Sequence, residues 1–313
     1  MRVLVTGAAG YIGSFVSHEL VDAGHDVIAL DNMSDGNLSA LPKDVEFAEV
    51  DIRNEEAVAK LISRIKPAAV VHLAGFTLIP PSLVDPLLCF ESNVTGTINI
   101  LRAMASNGIA RLVFSSSAAV YGKVSRNKIS EKNNCQPANY YGLSKLACEN
   151  IINYALQKNK NNYAILRYFN VVGSTVDFKI KKKINSLMDI ISNRIKKKKY
   201  KINVNGRSYD TEDGTPERDF IHINDLCKIH EKTYKYLSKN KKIVLNCGSG
   251  VRYSVLKVVK AFEKKIKKKF QITYKIVNPD ETQTICSNTN QLKKLLKMSI
   301  EKKEINNLIK DYL

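Results

Sequence analysis

Tyr141 and Lys145 stand four residues apart in Tyr141-Gly142-Leu143-Ser144-Lys145, a spacing that puts a phenol and an ammonium on one face of a helix. A phenol titrates near ~10, whereas a general base working at neutral pH is best near ~7. Closing that gap costs about 4 kcal/mol, and a positive charge ~4–5 Å away at an effective dielectric of ~20 supplies roughly that much. Such a pair can take a proton from an alcohol. Upstream, Phe114-Ser115-Ser116-Ser117-Ala118-Ala119-Val120-Tyr121-Gly122 ends an apolar run in three hydroxyls, one of which can hydrogen-bond the same oxygen. Each pattern alone is common, since serines often end strands and many helices carry Tyr and Lys at this spacing.

A third pattern gives the pair a reaction. Gly7-Ala8-Ala9-Gly10-Tyr11-Ile12-Gly13 follows the buried-type run Val3-Leu4-Val5 and opens a helix, which is the context of a dinucleotide site. Gly7 allows the tight turn, Gly10 lets the backbone approach a pyrophosphate, and Gly13 lets the helix pack on the strand. The first N–H groups of the helix face the phosphates. The bland reading is an ordinary glycine turn. Asp31 falls eighteen residues after Gly13, where a carboxylate accepts from ribose hydroxyls and repels a 2′-phosphate, favouring NAD over NADP; its alternative role is a turn with Asn32. Asp51-Ile52 are placed to meet the adenine edge, although Asp51 could equally cap a helix starting at Glu55. An oxidised nicotinamide near Tyr141 would add its positive charge to that of Lys145.

The elements that must carry these residues are legible as alternating runs. Strands are expected at Asp26 to Leu30, Val45 to Val50, Ala69 to Leu73 and Arg111 to Ser115, after the first at Val3 to Val5. Helices are expected at Tyr11 to Ala23, Glu55 to Ile65 and Leu87 to Ser106. Strand-helix alternation implies a parallel sheet covered on both faces. The fold class is therefore α/β: a doubly wound parallel-sheet (Rossmann) domain with a smaller mixed α/β C-terminal domain. After Tyr168 lysines crowd the sequence and the rhythm loosens, which places a boundary near residue 170. Residues 1–170 form the cofactor domain and 171–313 the substrate domain, with strands near 220–223 and 244–246 returning to the first sheet. Glu301 to Leu313 has helical periodicity.

Composition excludes several classes. Of 313 residues, 44% are hydrophobic and 25% charged, as in a globular protein. Lys and Arg number 49 against 30 Asp and Glu, a net charge of +19, which raises a polyanionic or anionic partner. Lys181 to Lys183 and Lys196 to Lys199 lack interleaved aromatics, so a solvated lysine surface is the better reading than a nucleic-acid patch. The six cysteines form no Cys-x-x-Cys and the five histidines show no ligand spacing, so neither a metal site nor a disulfide framework is expected. His72 and His222 are expected to be packing residues. With no secretory apolar run and no spanning segment of ~18 apolar residues, the expectation is a reduced cytoplasmic protein with no membrane partner.

Longer motifs carry a resemblance. VTGAAGYIGS at the start, HLAG at 72–75, FSSSAAVYG at 114–122, YGLSK at 141–145, RYFNVVGS at 167–174, YDTEDGTPERDFIHINDL at 209–226 and NCGSGVRYSVLKVV at 246–259 are similar to the extended short-chain dehydrogenase/reductase family, and within it to its UDP-glucose 4-epimerase branch. The resemblance spans most of the chain. It implies NAD as cofactor, contacted by Tyr11, Ile12, Asn32, Ala74 and Asn93 besides the residues above. It implies Tyr141 as acid/base, Lys145 as its electrostatic partner and Ser117 as the donor to the substrate oxygen. Asn170 and Arg218 would face a nucleotide diphosphate, Asn185 the uridine, and Thr284 the space beside the sugar's C2 substituent, where a small residue leaves room for a 2-acetamido group. A homodimer formed through the helices at 87–106 and around Tyr141 is also implied.

The reaction implied is epimerisation at C4 of a UDP-sugar, either the glucose/galactose or the N-acetylhexosamine pair, through a transient 4-keto sugar. Ala118 and Ala119 stand where related 4,6-dehydratases carry an Asp-Glu pair and decarboxylases a Glu, which fits epimerisation. The pattern departs at Val277-Asn278-Pro279-Asp280, where the family has a diphosphate-gripping Arg, leaving Lys275 or Arg252 as substitutes, and at Ile79-Pro80-Pro81-Ser82. Two alternatives stay open: a nucleotide-sugar dehydrogenase or reductase with net hydride transfer, and a non-enzymatic NAD-sensing or nucleic-acid-binding protein, against which the intact triad argues.

Overall fold

The computed structural model describes residues 1–76, 85–124, 127–158, 161–174, 186–239, 242–276, 282–300 and 303–313. Short apolar runs form the central sheet. β1 (Arg2–Thr6), β2 (Asp26–Asp31), β3 (Glu46–Glu49), β4 (Ala69–His72), β5 (Arg111–Ser117), β6 (Asn162–Tyr168) and β10 (Lys242–Cys247) pair side by side, all in parallel. The order is β10-β6-β5-β4-β1-β2-β3. It reverses between β1 and β4, and the carboxyl ends of the strands beside that reversal are where such sheets bind ligands.

Each face is covered by helices whose apolar stripes explain their positions. α2 (Glu55–Ile65), α4 (Gly96–Ser106) and α5 (Tyr140–Lys158) pack on one face, around Leu4, Ile28, Val70, Phe114 and Ile165. α1 (Tyr11–Asp22), α7 (Ile223–Tyr236) and α9 (Asn290–Leu296) pack on the other, around Val3, Val5, Val71, Val113 and Leu166. Alternate residues of each strand thus enter opposite cores, as a sheet buried on both sides requires. α2 starts where Asn54 accepts a hydrogen bond from the Ala57 N–H at 3.0 Å, so Asn54, not Asp51, is its cap.

The helix expected over 87–106 is interrupted. α3 (Pro86–Phe90) and α4 flank a π-helical segment, Glu91–Thr95, and this bulge carries Asn93, which is buried. Such one-turn π segments are frequent at functional sites.

The expected return of residues 220–223 to the first sheet does not occur. β9 (Glu217–His222) lies instead at the centre of a second, small sheet, antiparallel to β11 (Arg252–Ser254) and parallel to β7 (Asn170–Val172) and β13 (Thr284–Ile285). An apolar run pairs equally well with either sheet, and the short chain between β6 and β7 has already carried the path out of the first. Residues 244–246, in β10, do lie in the main sheet beside β6. β8 (Lys201–Asn205) pairs with β12 (Gln271–Lys275). α6 (Leu187–Lys196), α8 (Val255–Ile266) and α10 (Ile305–Leu308) close a separate core with Val172, Phe220, Phe262 and Tyr312. The helix expected from Glu301 is shorter: α10 is followed by a 3-10 turn at Lys310–Tyr312. No helix among the described residues is long and apolar enough to cross a membrane.

Candidate active site

The glycine turn leaves no room for side chains. Gly7 has φ +68°, and a Cβ there would lie 2.6 Å from the Ala74 backbone nitrogen. A Cβ on Gly13 would lie 1.9 Å from the Gly7 carbonyl oxygen, so α1 approaches the end of β1 as closely as backbone allows. Gly10 caps α1 without a side-chain acceptor. The N–H groups of the first turn therefore point towards the carboxyl ends of the strands. Thr6 Oγ1 accepts from the Ala74 N–H at 3.2 Å and pairs with His72 Nδ1 at 2.7 Å, tying β1 to β4 beside the turn.

Asp31, at the end of β2, is buried and accepts from the N–H groups of Ala9 at 3.0 Å and Met33 at 2.9 Å. The turn role and the proximity to the glycine loop are both realised in one carboxylate. Burial raises its pKa, and those N–H groups pull the other way. Asn32 Nδ2 donates to Asp51 Oδ2 at 3.1 Å, joining the ends of β2 and β3. Arg53, 2.7 Å from Asp51, holds that carboxyl well below the usual range. Ile52 is buried against Gly96, where a Cβ would meet its Cδ1 at 2.4 Å. Asn93 accepts from the Phe76 N–H at 2.7 Å and donates to Ser144 Oγ at 2.9 Å. It thereby fixes the chain after β4 against α5.

Tyr141, Lys145 and Ser117 converge at the end of β5. Tyr141 lies in the first turn of α5, close enough to Ser117 for that hydroxyl to pull down its pKa. Ser117 Oγ also accepts from the Ala119 N–H at 3.1 Å, which fixes its rotamer. Lys145 is 4% exposed, donates to the Ser115 carbonyl at 3.1 Å and sits 5.0 Å from the centroid of the Phe114 ring. A Cβ on Gly75 would come 2.5 Å from Asn93 Oδ1 and 3.5 Å from Lys145 Nζ. The glycine loop, the end of β4 and the α5 pair are thus one continuous site.

A family model described as "NAD dependent epimerase/dehydratase family" matches residues 3–248. The chain belongs to this family. The UDP-glucose 4-epimerase of Lactobacillus helveticus is 38% identical over 268 residues, 84% of this chain and 81% of that protein. The human UDP-glucose 4-epimerase is 38% identical over 298 residues, 88% of this chain and 84% of its own length. Among solved structures, the UDP-glucose 4-epimerase of Stenotrophomonas maltophila, with bound NAD and formylated UDP-arabinopyranose, superposes with a TM-score of 0.93 at 30% identity, covering 100% of this chain and 96% of that one.

As an NAD-dependent epimerase/dehydratase family member, this chain needs a dinucleotide cradle, and the residues fit one. Two glycines that tolerate no Cβ, an uncapped helix start and a buried carboxylate at the end of β2 line a single edge of the sheet. His72, between Thr6 and Thr97, is buried and its pKa is pushed down to about 3 by burial and then by Lys145. It is a neutral packing residue. His222 pairs with Asp311 at 2.8 Å.

The tyrosine's proton affinity departs from the expectation. Burial lifts the Tyr141 phenol to about 12, with the Ser117 hydrogen bond pulling down less strongly, so Lys145 by itself does not deliver a base for neutral pH. Burial also lowers Lys145, against the nearby Cys148, Cys89 and Glu149. The positive charge of an oxidised nicotinamide beside the phenol would supply a further downward shift. In cofactor-stripped protein, the difference titration of wild type against Tyr141→Phe is expected to show phenolate only as pH nears 12. With NAD bound, the midpoint is expected to drop towards neutrality. An unchanged midpoint would contradict this division of labour.

The residues expected on the substrate side lie on the small sheet and its edges. Asn170 starts β7 and is exposed. Arg218, on β9, donates to the Glu217 carbonyl at 2.9 Å and pairs in register with Tyr253 and Ile285. Thr284 is buried and donates to Glu217 Oε2 at 3.2 Å. Arg252 reaches the same carboxylate at 3.4 Å and lies opposite Asp219. Strand alternation therefore puts Arg252, Glu217 and Thr284 on one face of the small sheet and Arg218 on the other. Asn185, Ile79 to Ser82 and Val277 to Asp280 lie outside the described residues.

Sequence reasoning did not single out Thr6, Ser144, Glu149 or Arg167 as site residues. Thr6 directly precedes Gly7, and Glu149 stands four residues beyond Lys145. Those adjacencies were the available signals.

Proposed function

We propose that this protein interconverts the C4 epimers of a UDP-sugar through a 4-keto intermediate, with Ser117, Tyr141 and Lys145 as its catalytic groups. The observation that carries this reading is the convergence of those three side chains at the end of β5, beside the glycine turn. The relatives named UDP-glucose 4-epimerase supply the substrate class. So does a solved structure from Bifidobacterium longum in complex with NAD+ and UDP, which has a TM-score of 0.92 at 29% identity.

NAD, held against the glycine turn and Asp31, would supply the acceptor and donor of the C4 hydride on which the epimerisation depends. Tyr141 takes the proton of the 4-hydroxyl and gives it back to the epimeric alkoxide, so it is regenerated in each cycle. Ser117 holds the same oxygen through its hydroxyl. Lys145, anchored on the Ser115 carbonyl, supplies a positive charge one helical turn from Tyr141. The cradle of Gly7, Gly10, Tyr11, Ile12, Gly13, Asp31, Asn32, Asp51, Ile52, Ala74 and Asn93 holds the cofactor. Asn170 and Arg218 face the nucleotide diphosphate. Anaerobic incubation with UDP-galactose and no added NAD tests this: UDP-glucose should form without net NADH. Stoichiometric NADH would identify a dehydrogenase instead.

Thr284 limits the space at the sugar's C2 substituent. A solved UDP-Glc/GlcNAc 4-epimerase from Campylobacter jejuni, with a TM-score of 0.87 at 29% identity, supports an N-acetylhexosamine pair as substrates. Thr284→Tyr is expected to reduce turnover of UDP-GlcNAc at least about tenfold more than that of UDP-glucose, by filling the pocket. Equal losses on both sugars would overturn the assignment.

The protein acts as a cytoplasmic homodimer, with residues 1–170, completed by α7, β10 and α9, as the cofactor unit and the rest of 171–313 as the substrate unit. Leu87 on α3 and Leu143 and Tyr154 on α5 are 74%, 50% and 82% exposed, and an unpaired apolar surface of this kind favours association of two copies. Sedimentation equilibrium should give twice the chain mass, whereas a monomer would contradict the dimer.

A further inference from the structure

Three consecutive residues of β5 each face a different turn of α5. The Ser115 carbonyl accepts from Lys145, Ser116 Oγ donates to Glu149 Oε1 at 2.5 Å, and Ser117 lies beside Tyr141. The middle rung takes no part in the proton transfer derived above, yet it is the most heavily built. Glu149 is 2% exposed and receives both forks of Arg167, at 3.0 and 2.7 Å. Arg167 is the register partner of Ser116 on β6, and Asn246 is the register partner of Arg167 on β10. From the other side of the guanidinium, Nη1 donates to the Tyr121 hydroxyl at 2.9 Å. That hydroxyl donates to Asn246 Oδ1 at 2.7 Å. Every member of this chain is buried.

A buried ion pair is a poor way to gain stability, because desolvation offsets its attraction. A fully satisfied one is an effective way to specify a single geometry. Here it joins β5, β6, β10 and α5 directly beneath the catalytic groups. We propose that Glu149, clamped by Arg167 and Ser116, is a positioning residue for the reaction, fixing the α5 turn that carries Lys145 against β5 so that Lys145 and Ser117 stay aligned on Tyr141.

Glu149 also faces Lys145 electrostatically. The groups around that ammonium are Cys148 and Glu149 from α5, Cys89 from α3 and His72 from β4. His72 is neutral, and Glu149 is the carboxylate among them that favours the charged lysine. Its removal lowers the pH at which Lys145 loses its proton.

The proposal rests on the C4-epimerase reading, so wild type is assayed first. Failure of wild type to interconvert the epimers refutes that reading, while the variants judge the clamp. Glu149→Gln is expected to lower kcat about 10- to 100-fold, to leave KM and bound NAD unchanged, and to move the alkaline limb of the kcat–pH profile to lower pH. Ser116→Ala keeps the ion pair and is expected to lower kcat about threefold or more at constant KM. Folded Glu149→Gln protein with wild-type kcat and pH profile would overturn the proposal. Should that variant not fold, Ser116→Ala decides alone, and wild-type turnover in it would overturn the proposal equally.

Discussion

Tyr141→Phe should retain NAD and lose turnover by about 10²- to 10⁴-fold, the range lost when a positioned acid/base is removed. The substitution deletes one oxygen and keeps the ring, so α5 keeps its packing. The cofactor cradle is built elsewhere, on β1, β2 and the first turn of α1. Ser117 keeps its hydrogen bond from the Ala119 N–H, so the strand end does not collapse. What is lost is the hydroxyl proposed to shuttle the 4-hydroxyl proton. The check is kcat together with the molar ratio of NAD released on denaturing the purified variant. Wild-type turnover with NAD still bound would remove Tyr141 from the mechanism.

The second large effect is expected at a residue that never touches the sugar. Gly13→Ala would place a methyl carbon 1.9 Å from the Gly7 carbonyl oxygen and 2.8 Å from Ala8 Cα. Both are backbone atoms, so no side chain can swing aside, and α1 must lift away from β1. Overpacking of this kind costs about 1–3 kcal/mol or more, and about 1 kcal/mol moves the Tm of a chain this size by roughly 1.5 °C. The expected result is a Tm lowered by several degrees and protein that is purified without NAD. Differential scanning fluorimetry with and without added NAD, alongside the NAD content, measures both. An unchanged Tm with full NAD content would show that the turn accommodates the methyl and that the close approach is not what holds the cofactor.

These two positions were also the most legible in the sequence, for a shared reason. The glycine turn and the Tyr141–Lys145 pair are local: their geometry follows from one turn and one helix period, with no distant partner required. The same holds for β2 and α2, whose runs and cap residues lie within a few positions of one another. What could not be read depends on contacts far along the chain. The π segment at Glu91–Thr95 exists where Asn93 reaches Phe76 and Ser144, and no periodicity announces that demand. β9 reads as a strand, but which sheet it joins is set by β7, β11 and β13. Glu149 sat visibly on the stripe of Tyr141 and Lys145, whereas its partner Arg167 comes from another element eighteen residues later. The charge arithmetic for Tyr141 failed in one direction for a similar reason. Distance to a lysine can be guessed from spacing, but the burial that lifts the phenol to about 12 cannot.

The basic surplus plays no part in this chemistry. Lys196 to Lys199 are exposed, at and just beyond the end of α6. Their field favours the approach of an anionic nucleotide sugar without selecting among sugars.

The central claim is that hydride leaves and re-enters the same carbon without escaping the site. UDP-galactose carrying deuterium at C4, incubated in ordinary water with no added cofactor, tests this directly by mass and NMR analysis of the UDP-glucose formed. The account predicts that the deuterium remains at C4 throughout the interconversion. Loss of the label to solvent, or its accumulation in NADH, would contradict it.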